Sequence, residues 1–594
     1  MGNKTGAQVI VDTLVDAGVK HVFGIVSIHN MPIVDAISQN DSISMVTARN
    51  EQSATHMADG YARAKGALGV ALGSTGPGTT NMVTGIYESA YASSRVLVIT
   101  GQAETTFYGK GKGYVHEAEN QKPMLETVAR TVASPSYVDD IAPMLTEVID
   151  SIHRGRPQPG AMEVPIDLQY ATTSTEQTAS TVTNSVAPNA ENLGQAIDVL
   201  KKANKRVILA GGGISTAEAA NALQVFAELI DAPVITTAHG KGAIASDHPL
   251  HLGPVLMSRP VLETVNEADV LIAIGTRFQA GVAGNQIKIT LPSLVHIDLD
   301  PRTINLNFTA EVGVVADAES ALTALAAADI EKGDAQYREK LQALATETRE
   351  QTLERIGPDH TTALNAVSKY MTPESFFVRD NTIPGYHWGN GLLPISNPRG
   401  YIYPTSGAIG PGLPLGIGVS IATGQKTIVM HGDGGFMFHV GELATAAQYK
   451  APIVIIIFND SGYGVLRGLQ HNQFEGRFNE TELNTPDFVQ LAESMNVKGL
   501  HADNGQKTIV MHGDGGFMFH VGELATAAQY KAPIVIIIFN DSGYGVLRGL
   551  QHNQFEGRFN ETELNTPDFV QLAESMNVKG LHADNADELE ARLA

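Results

Sequence analysis

Ala451-Pro-Ile-Val-Ile-Ile-Ile-Phe-Asn-Asp460-Ser-Gly-Tyr-Gly464, preceded by His431-Gly-Asp433-Gly-Gly-Phe436, decides how this chain is read. The apolar run from Ala451 to Phe458 has the character of a parallel strand buried on both faces. Such a strand delivers Asn459 and Asp460 to the carboxyl edge of its sheet, where open α/β sheets bind ligands. Glycines on both sides of Asp433 permit a sharp turn and close backbone approach. Mg2+ takes hard oxygen ligands and shares them among carboxylates, carbonyls, water and phosphate. Asp433 followed by Asp460 therefore suits a magnesium diphosphate site; the bland alternative is that Asn459 and Asp460 only cap a turn.

Three more stretches stand upstream: Arg49-Asn-Glu51-Gln-Ser-Ala-Thr-His, Gly73-Ser-Thr-Gly76-Pro-Gly78-Thr-Thr-Asn81 and Ser406-Gly-Ala-Ile409-Gly-Pro-Gly-Leu-Pro-Leu-Gly-Ile-Gly418. With the first stretch, and in this order, they resemble the thiamine-diphosphate-dependent enzymes. The likeness is to the acetolactate synthase-like branch, with benzoylformate decarboxylase and benzaldehyde lyase as relatives, and it covers about residues 5–500.

The resemblance implies an α/β fold of three doubly wound parallel-sheet domains. They are a pyrimidine-binding domain over 1–175, a middle domain over 190–335 and a diphosphate- and Mg2+-binding domain over 365–504. Alternating apolar runs and helical stretches agree with parallel sheets. Val19 to Gly24, Gly69 to Gly73 and Arg95 to Thr100 read as strands of the first domain. Arg206 to Ala210, Val270 to Ile274 and Leu294 to Asp298 read as strands of the second. A Ser/Thr-rich stretch from Tyr170 to about Asn192 reads as a linker, and 331–362 as a charged helical connector ending near Gly357-Pro358. In the third domain a helix is expected from near His439, with Glu442 as a capping group or, as the alternative, a group supporting the site.

Thiamine diphosphate and Mg2+ are the implied cofactors. By resemblance, Glu51 activates the aminopyrimidine. Gly76 and Gly78 form the glycine-rich loop, and Ile409 supports the thiazolium. Gly432, Gly434, Gly435, Tyr463 and Gly464 surround the diphosphate, and Asp433, Asp460 and the Gly462 carbonyl hold the metal. Position 460 is commonly Asn in the family; Asp adds a negative charge and makes the metal more necessary. The middle domain of relatives sometimes carries FAD, but Gly211-Gly-Gly213 lacks dinucleotide spacing and FAD is left open.

His29 and His116 are candidates for handling substrate protons, since imidazole titrates near neutrality. His29 resembles a histidine of benzaldehyde lyase. His116 stands where acetolactate synthases usually have Gln, and Leu469 where acetohydroxyacid synthases have Trp. A lone loop histidine is otherwise a surface or hydrogen-bonding residue. The implied reaction is decarboxylation of a 2-keto acid with transfer of the retained fragment to an aldehyde or ketone acceptor. The alternatives are a non-ligating decarboxylase or aldehyde lyase, and a protein left inactive by the repeat described next.

Residues 505–585 repeat 424–504 letter for letter. Fidelity of this kind reads as a recent duplication or an assembly error, not a repeat array. One sheet has one slot for these strands. Copy one is expected to fill it, leaving copy two as an appendage with an exposed apolar strand and 586–594 as a truncated helix. A homodimer or homotetramer is implied, because the family places the glutamate and the diphosphate site on different subunits.

The 594 residues are 43% hydrophobic and 17% charged, with a net charge of −23. That balance argues against nucleic acid as a partner. Without cysteine there are no disulfides and no thiolate chemistry. No run has the length of a membrane span, no signal peptide is visible, and Gly6 stands where myristoylation wants Ser or Thr. A cytoplasmic protein is expected.

Overall fold

The computed structural model describes residues 3–174, 185–279, 293–495, 497, 499–500, 518, 521–529, 538, 544–555, 557–582 and 588. Part of the Tyr170–Asn192 linker, most of the 586–594 tail and most of copy two's duplicate of the Ala451–Phe458 run lie outside them. The chain divides into two compact units. One comprises Met1–Val182, Val378–Ile383 and Tyr403–Ala594; the other comprises Thr183–Phe377 and Pro384–Ile402.

The first unit holds a six-stranded sheet in the order Ser44–Thr47, His21–Gly24, Gly69–Gly73, Val96–Gln102, Gly160–Pro165, Val132–Ala133. Every pairing in it is parallel. Gly69–Gly73 and Val96–Gln102 are buried along their whole length, as parallel strands covered on both faces must be. The helix Gly6–Asp16 enters through a capping box, in which Thr5 accepts the Gln8 N–H and the Gln8 side chain accepts the Thr5 N–H. The helix Glu51–Lys65 starts where the Ser44–Thr47 strand has just ended, with Asn50 accepting the Gln52 N–H. Its C-terminus closes on Gly66 at φ 70°.

The second unit carries another all-parallel six-stranded sheet, in the order His251–Gly253, Val234–Thr236, Arg206–Ala210, Val270–Ile274, Leu294–Asp298, Val312–Val315. The charged connector does not stop at Gly357. Gly357 leaves helical geometry at φ 76°, and a second helical stretch continues to Ser368. Pro358 tolerates this because it sits in the first turn of that stretch, where no N–H is needed.

A third sheet has four strands in the order Tyr401–Ile402, Phe376–Arg379, Thr427–Gly432, Ile453–Phe458. The last two are parallel and in register, Thr427 opposite Ile453 through Gly432 opposite Phe458. Both belong to copy one. Ile453–Phe458 differs from expectation: only Ile455 and Ile457 are buried, and Val454 is exposed. Among the described residues it is the edge strand of this sheet.

Candidate active site

Two groups of residues carry the expected chemistry, both in the first unit. The first is built around Glu51. As the first residue of its helix it points back towards the glycine loop, where Gly78 lies beside its Oε1. It is 7% exposed, and Asn81 Nδ2 donates to its Oε2 at 3.0 Å. Burial raises its pKa, and hydrogen bonds from Asn81 and from its own backbone N–H offset that only in part. Gly76 sits at φ 58°, and a Cβ there would come within 2.5 Å of the His116 carbonyl. Only glycine fits this close crossing.

His29 and His116 meet in this region, their rings 5.5 Å apart. His29 is not the surface residue that a loop position suggests: it is buried, its Nδ1 lies 3.4 Å from Ser74 Oγ, and its Nε2 has no partner. Burial and the neighbouring His116 push its pKa down to about 4, so the ring is neutral near pH 7. His116 is exposed and holds φ 62°.

The second group surrounds Asp433. Its side chain is 1% exposed; Gly462 N–H donates to Oδ2 at 2.9 Å, and Oδ1 has no partner. Burial and the facing Asp460 carboxylate push its pKa up to about 7. A Cβ at Gly464 would stand 2.2 Å from Asp460 Oδ2, so that residue must be glycine for Asp460 to sit where it does. Tyr463 packs against Gly434, and Gly435 lies beside Asp380. Asn459 Oδ1 accepts the Ser461 N–H at 3.0 Å. The turn-capping role thus falls to Asn459, and Asp460 is left facing Asp433.

An unpartnered buried carboxylate oxygen opposite a second carboxylate is the donor set a divalent cation satisfies. The residues fit Mg2+. Among the described residues no cluster of three or more His, Cys, Asp or Glu side chains exists, so remaining ligands would come from carbonyl, water and phosphate. Also among the described residues, no hydrogen bond or ion pair joins Glu51 to Asp433, Asp460 or Gly462.

Several supporting residues escaped the sequence reading. Asp380, at the end of the Phe376–Arg379 strand, accepts the N–H groups of Gly410 and Gly412 at 2.9 and 2.8 Å and so fixes the loop carrying half-buried Ile409. Its Oδ2 lies 3.4 Å from His431 Nδ1. Gln121 accepts the Gly76 N–H at 2.9 Å and donates to buried Glu163 at 3.1 Å. Glu88 accepts the N–H groups of Thr405 and Ser406 at 2.6 and 2.9 Å and pairs with Arg63 at 2.7 Å. Against burial, Arg63 and these donors bring its pKa down to about 2. A charged residue directly after an apolar strand, as in Phe376-Phe-Val-Arg-Asp380, was the available signal for Asp380.

Glu442 does not act as a helix cap. Helical turns do begin beside His439, and Glu442 stands at the N-cap position of the helix Leu443–Gln448, but its side chain makes no capping bond and instead accepts the Arg49 N–H at 2.9 Å and the Thr445 hydroxyl at 2.7 Å. It is a buried tie to the Glu51 segment, reinforced by Ser53 Oγ at 2.9 Å from His439 Nδ1.

The thiamine pyrophosphate enzyme N-terminal TPP binding domain matches residues 4–124, and the central domain of these enzymes matches 193–325. The C-terminal TPP binding domain matches 386–507 and again 499–594. A probable acetolactate synthase large subunit from Methanocaldococcus jannaschii is 32% identical, over 83% of this chain and 86% of that protein. The chain belongs to the thiamine pyrophosphate enzyme family. The acetolactate synthase isozyme 2 large subunit of Escherichia coli is 30% identical over 87% of this chain and 95% of its own length. A probable 2-ketoarginine decarboxylase from Pseudomonas aeruginosa is 31% identical over 78% of this chain and 83% of its own length. Within the family the fold is the expected α/β arrangement of parallel sheets, and no described helix is long and apolar enough to cross a membrane.

Proposed function

We propose that this enzyme decarboxylates a 2-keto acid and transfers the retained fragment to a second carbonyl compound, as an acetolactate synthase does. The observation that carries the proposal is the pairing of a desolvated Glu51 with a separate two-carboxylate centre at Asp433 and Asp460. When bound, thiamine diphosphate would supply the carbon centre that holds negative charge after CO2 leaves. Mg2+ would be held by Asp433 and Asp460, with the Gly462 carbonyl as a third ligand and the Gly432, Gly434 and Gly435 turn close to the phosphates. Glu51, whose burial favours the protonated carboxyl, would exchange a hydrogen bond with the pyrimidine ring. Gly76 and Gly78 leave room for that ring, and Ile409 supplies an apolar rest for the thiazolium.

His29 offers neutral Nε2 as a proton acceptor on the substrate side. This buried histidine, with His116 beside it, favours a second reading in which the retained fragment is protonated and released as an aldehyde. Incubating the full chain with pyruvate, thiamine diphosphate and Mg2+ tests both. Acetolactate supports ligation, and acetaldehyde alone supports the second reading. Turnover of no 2-keto acid across a panel, with cofactor shown to be bound, overturns both. The assembly we propose is a homodimer or higher homo-oligomer, and the location the cytoplasm.

A further inference from the structure

Glu163 has no part in the chemistry described so far, yet its side chain is fully buried in the strand Gly160–Pro165. A carboxylate taken out of water needs hydrogen bonds in return. Four donors meet this one. Tyr108 Oη and Ser134 Oγ donate to Oε1 at 2.6 and 2.9 Å. Gln121 Nε2 and Gln102 Nε2 donate to Oε2 at 3.1 and 3.2 Å. Gln102 ends the strand Val96–Gln102, and Ser134 directly follows Val132–Ala133, so those two donors belong to the sheet. Tyr108 and Gln121 stand at the two ends of one surface segment, and a single carboxylate clamps both. Just past the same strand, Asp167 accepts the Thr105 N–H at 3.0 Å and the Thr105 hydroxyl.

Between these ends the segment runs in the open. Gly109, Gly111 and Gly113 all have positive φ, and a Cβ on any of them would meet no atom within 4 Å. Lys110, Lys112 and Val115 are exposed. This segment nonetheless delivers Tyr114 and His116 to His29, with ring centroids 5.9 and 5.5 Å away. The His116 carbonyl lies 3.2 Å from the Thr75 hydroxyl, and Gln121 accepts the Gly76 N–H at 2.9 Å. The wall over His29 is therefore placed by its ends and by the glycine loop, not by packing beneath its middle.

We propose, on the ligating reading of this site, that Glu163 is a positioning residue that sets how the retained fragment divides between ligation and release. In ligation a carbon–carbon bond forms to the acceptor's carbonyl carbon, and the acceptor oxygen takes one proton. In release the retained fragment takes that proton at carbon and leaves as an aldehyde. A wall held close over His29 narrows the approach of water and keeps the acceptor in line. Loosening either end of the segment admits water and favours release.

The test compares three substitutions in the full chain with thiamine diphosphate and Mg2+. Glu163→Gln keeps the shape but cannot accept at both terminal atoms. Tyr108→Phe removes the segment's bond to Oε1, and Ser134→Ala removes the sheet's bond to the same atom. With pyruvate, the ratio of acetaldehyde to acetolactate is expected to rise about tenfold in Glu163→Gln and about threefold in Tyr108→Phe, and to keep the wild-type value in Ser134→Ala. Equal effects of Tyr108→Phe and Ser134→Ala would mean a merely structural carboxylate and overturn the proposal. Trypsin gives a readout without turnover: cleavage after Lys110 and Lys112 should quicken in the first two variants and not in the third. Unchanged cleavage at those lysines overturns it as well. If Glu163→Gln fails to fold, Tyr108→Phe against Ser134→Ala decides alone. A wild type that binds cofactor yet forms no acetolactate sinks the ligating reading and this inference with it. An unchanged product ratio in the variants, beside a wild type that forms acetolactate, sinks this inference alone.

Discussion

Glu51 and Asp433 are both buried carboxylates, each at the start of a helical segment closely following a parallel strand. Both have a raised pKa, for different reasons. At Glu51 burial acts alone against two hydrogen bonds, from Asn81 and from its own backbone N–H. At Asp433 a second carboxylate, Asp460, adds its charge to the burial. Desolvation without a like charge suits a group that keeps its proton and offers it to a ligand. Desolvation with a like charge makes a site that is uncomfortable until a cation arrives. One physical cause thus produces two different tools, and neighbouring charge decides which.

The largest effect expected from breaking this contrast is on turnover. Glu51→Gln keeps the shape and removes the proton exchange. Steady-state assays should show a drop of about 10²- to 10⁴-fold, while calorimetry shows thiamine diphosphate affinity within a few fold of wild type. Comparable loss of both would mean that Glu51 only holds the fold. Asp433→Asn should instead act on binding, weakening Mg2+-dependent cofactor affinity by roughly 10²-fold, about 2.7 kcal/mol.

Stability against pH sharpens the same contrast without any substrate. In the unfolded chain Asp433 titrates near the ordinary carboxylate value, in the folded metal-free chain at about 7. Below about pH 4 both states carry the proton and the pair costs nothing. As pH rises towards 7 the folded state must lose a proton it holds more tightly, and metal-free stability falls by up to about 4 kcal/mol. Thermal melts between pH 5 and 8 should show that decline, and saturating Mg2+ should flatten it. A flat metal-free profile would contradict the pairing.

Glu88 runs the opposite way. Its folded pKa of about 2 lies below the unfolded value, so its contribution of about 3 kcal/mol is present above about pH 4.5 and is lost as pH falls through 2. Glu88→Gln should destabilise at pH 7, and the gap from wild type should close in acid. The smallest effect is expected from Asp460→Asn. It removes the like charge, should bring the Asp433 titration back towards its ordinary range, and should raise the Mg2+ concentration for half-saturation less than about tenfold, about 1.4 kcal/mol. If melts of Asp460→Asn keep the full pH dependence, burial alone explains Asp433.

Most of the strands could be read from the chain because buried parallel strands are continuous apolar runs bounded by turn residues. Glu51, Asp433 and the glycine turns were visible because their neighbours in sequence form the motif. Asp380, Gln121 and Glu88 were not. Each supports the site by reaching a backbone N–H in another segment, Glu88 as far as Thr405 and Ser406, and no local pattern encodes such a partner. Glu442 was misread as a cap for the same reason: its partner, Arg49, is nearly four hundred positions away.

By itself the sequence determined the family, the fold class, the carboxylates and the presence of two identical repeat copies. It could not assign those copies different roles, because identical residues carry identical propensities. Tertiary structure decided that Thr427–Gly432 and Ile453–Phe458 of copy one take the sheet. It also decided that Phe474 stays exposed while its twin Phe555 is buried against the N-terminal module. The physical reason is that a sheet edge offers one place to pair, and burial depends on what a side chain meets, not on which side chain it is.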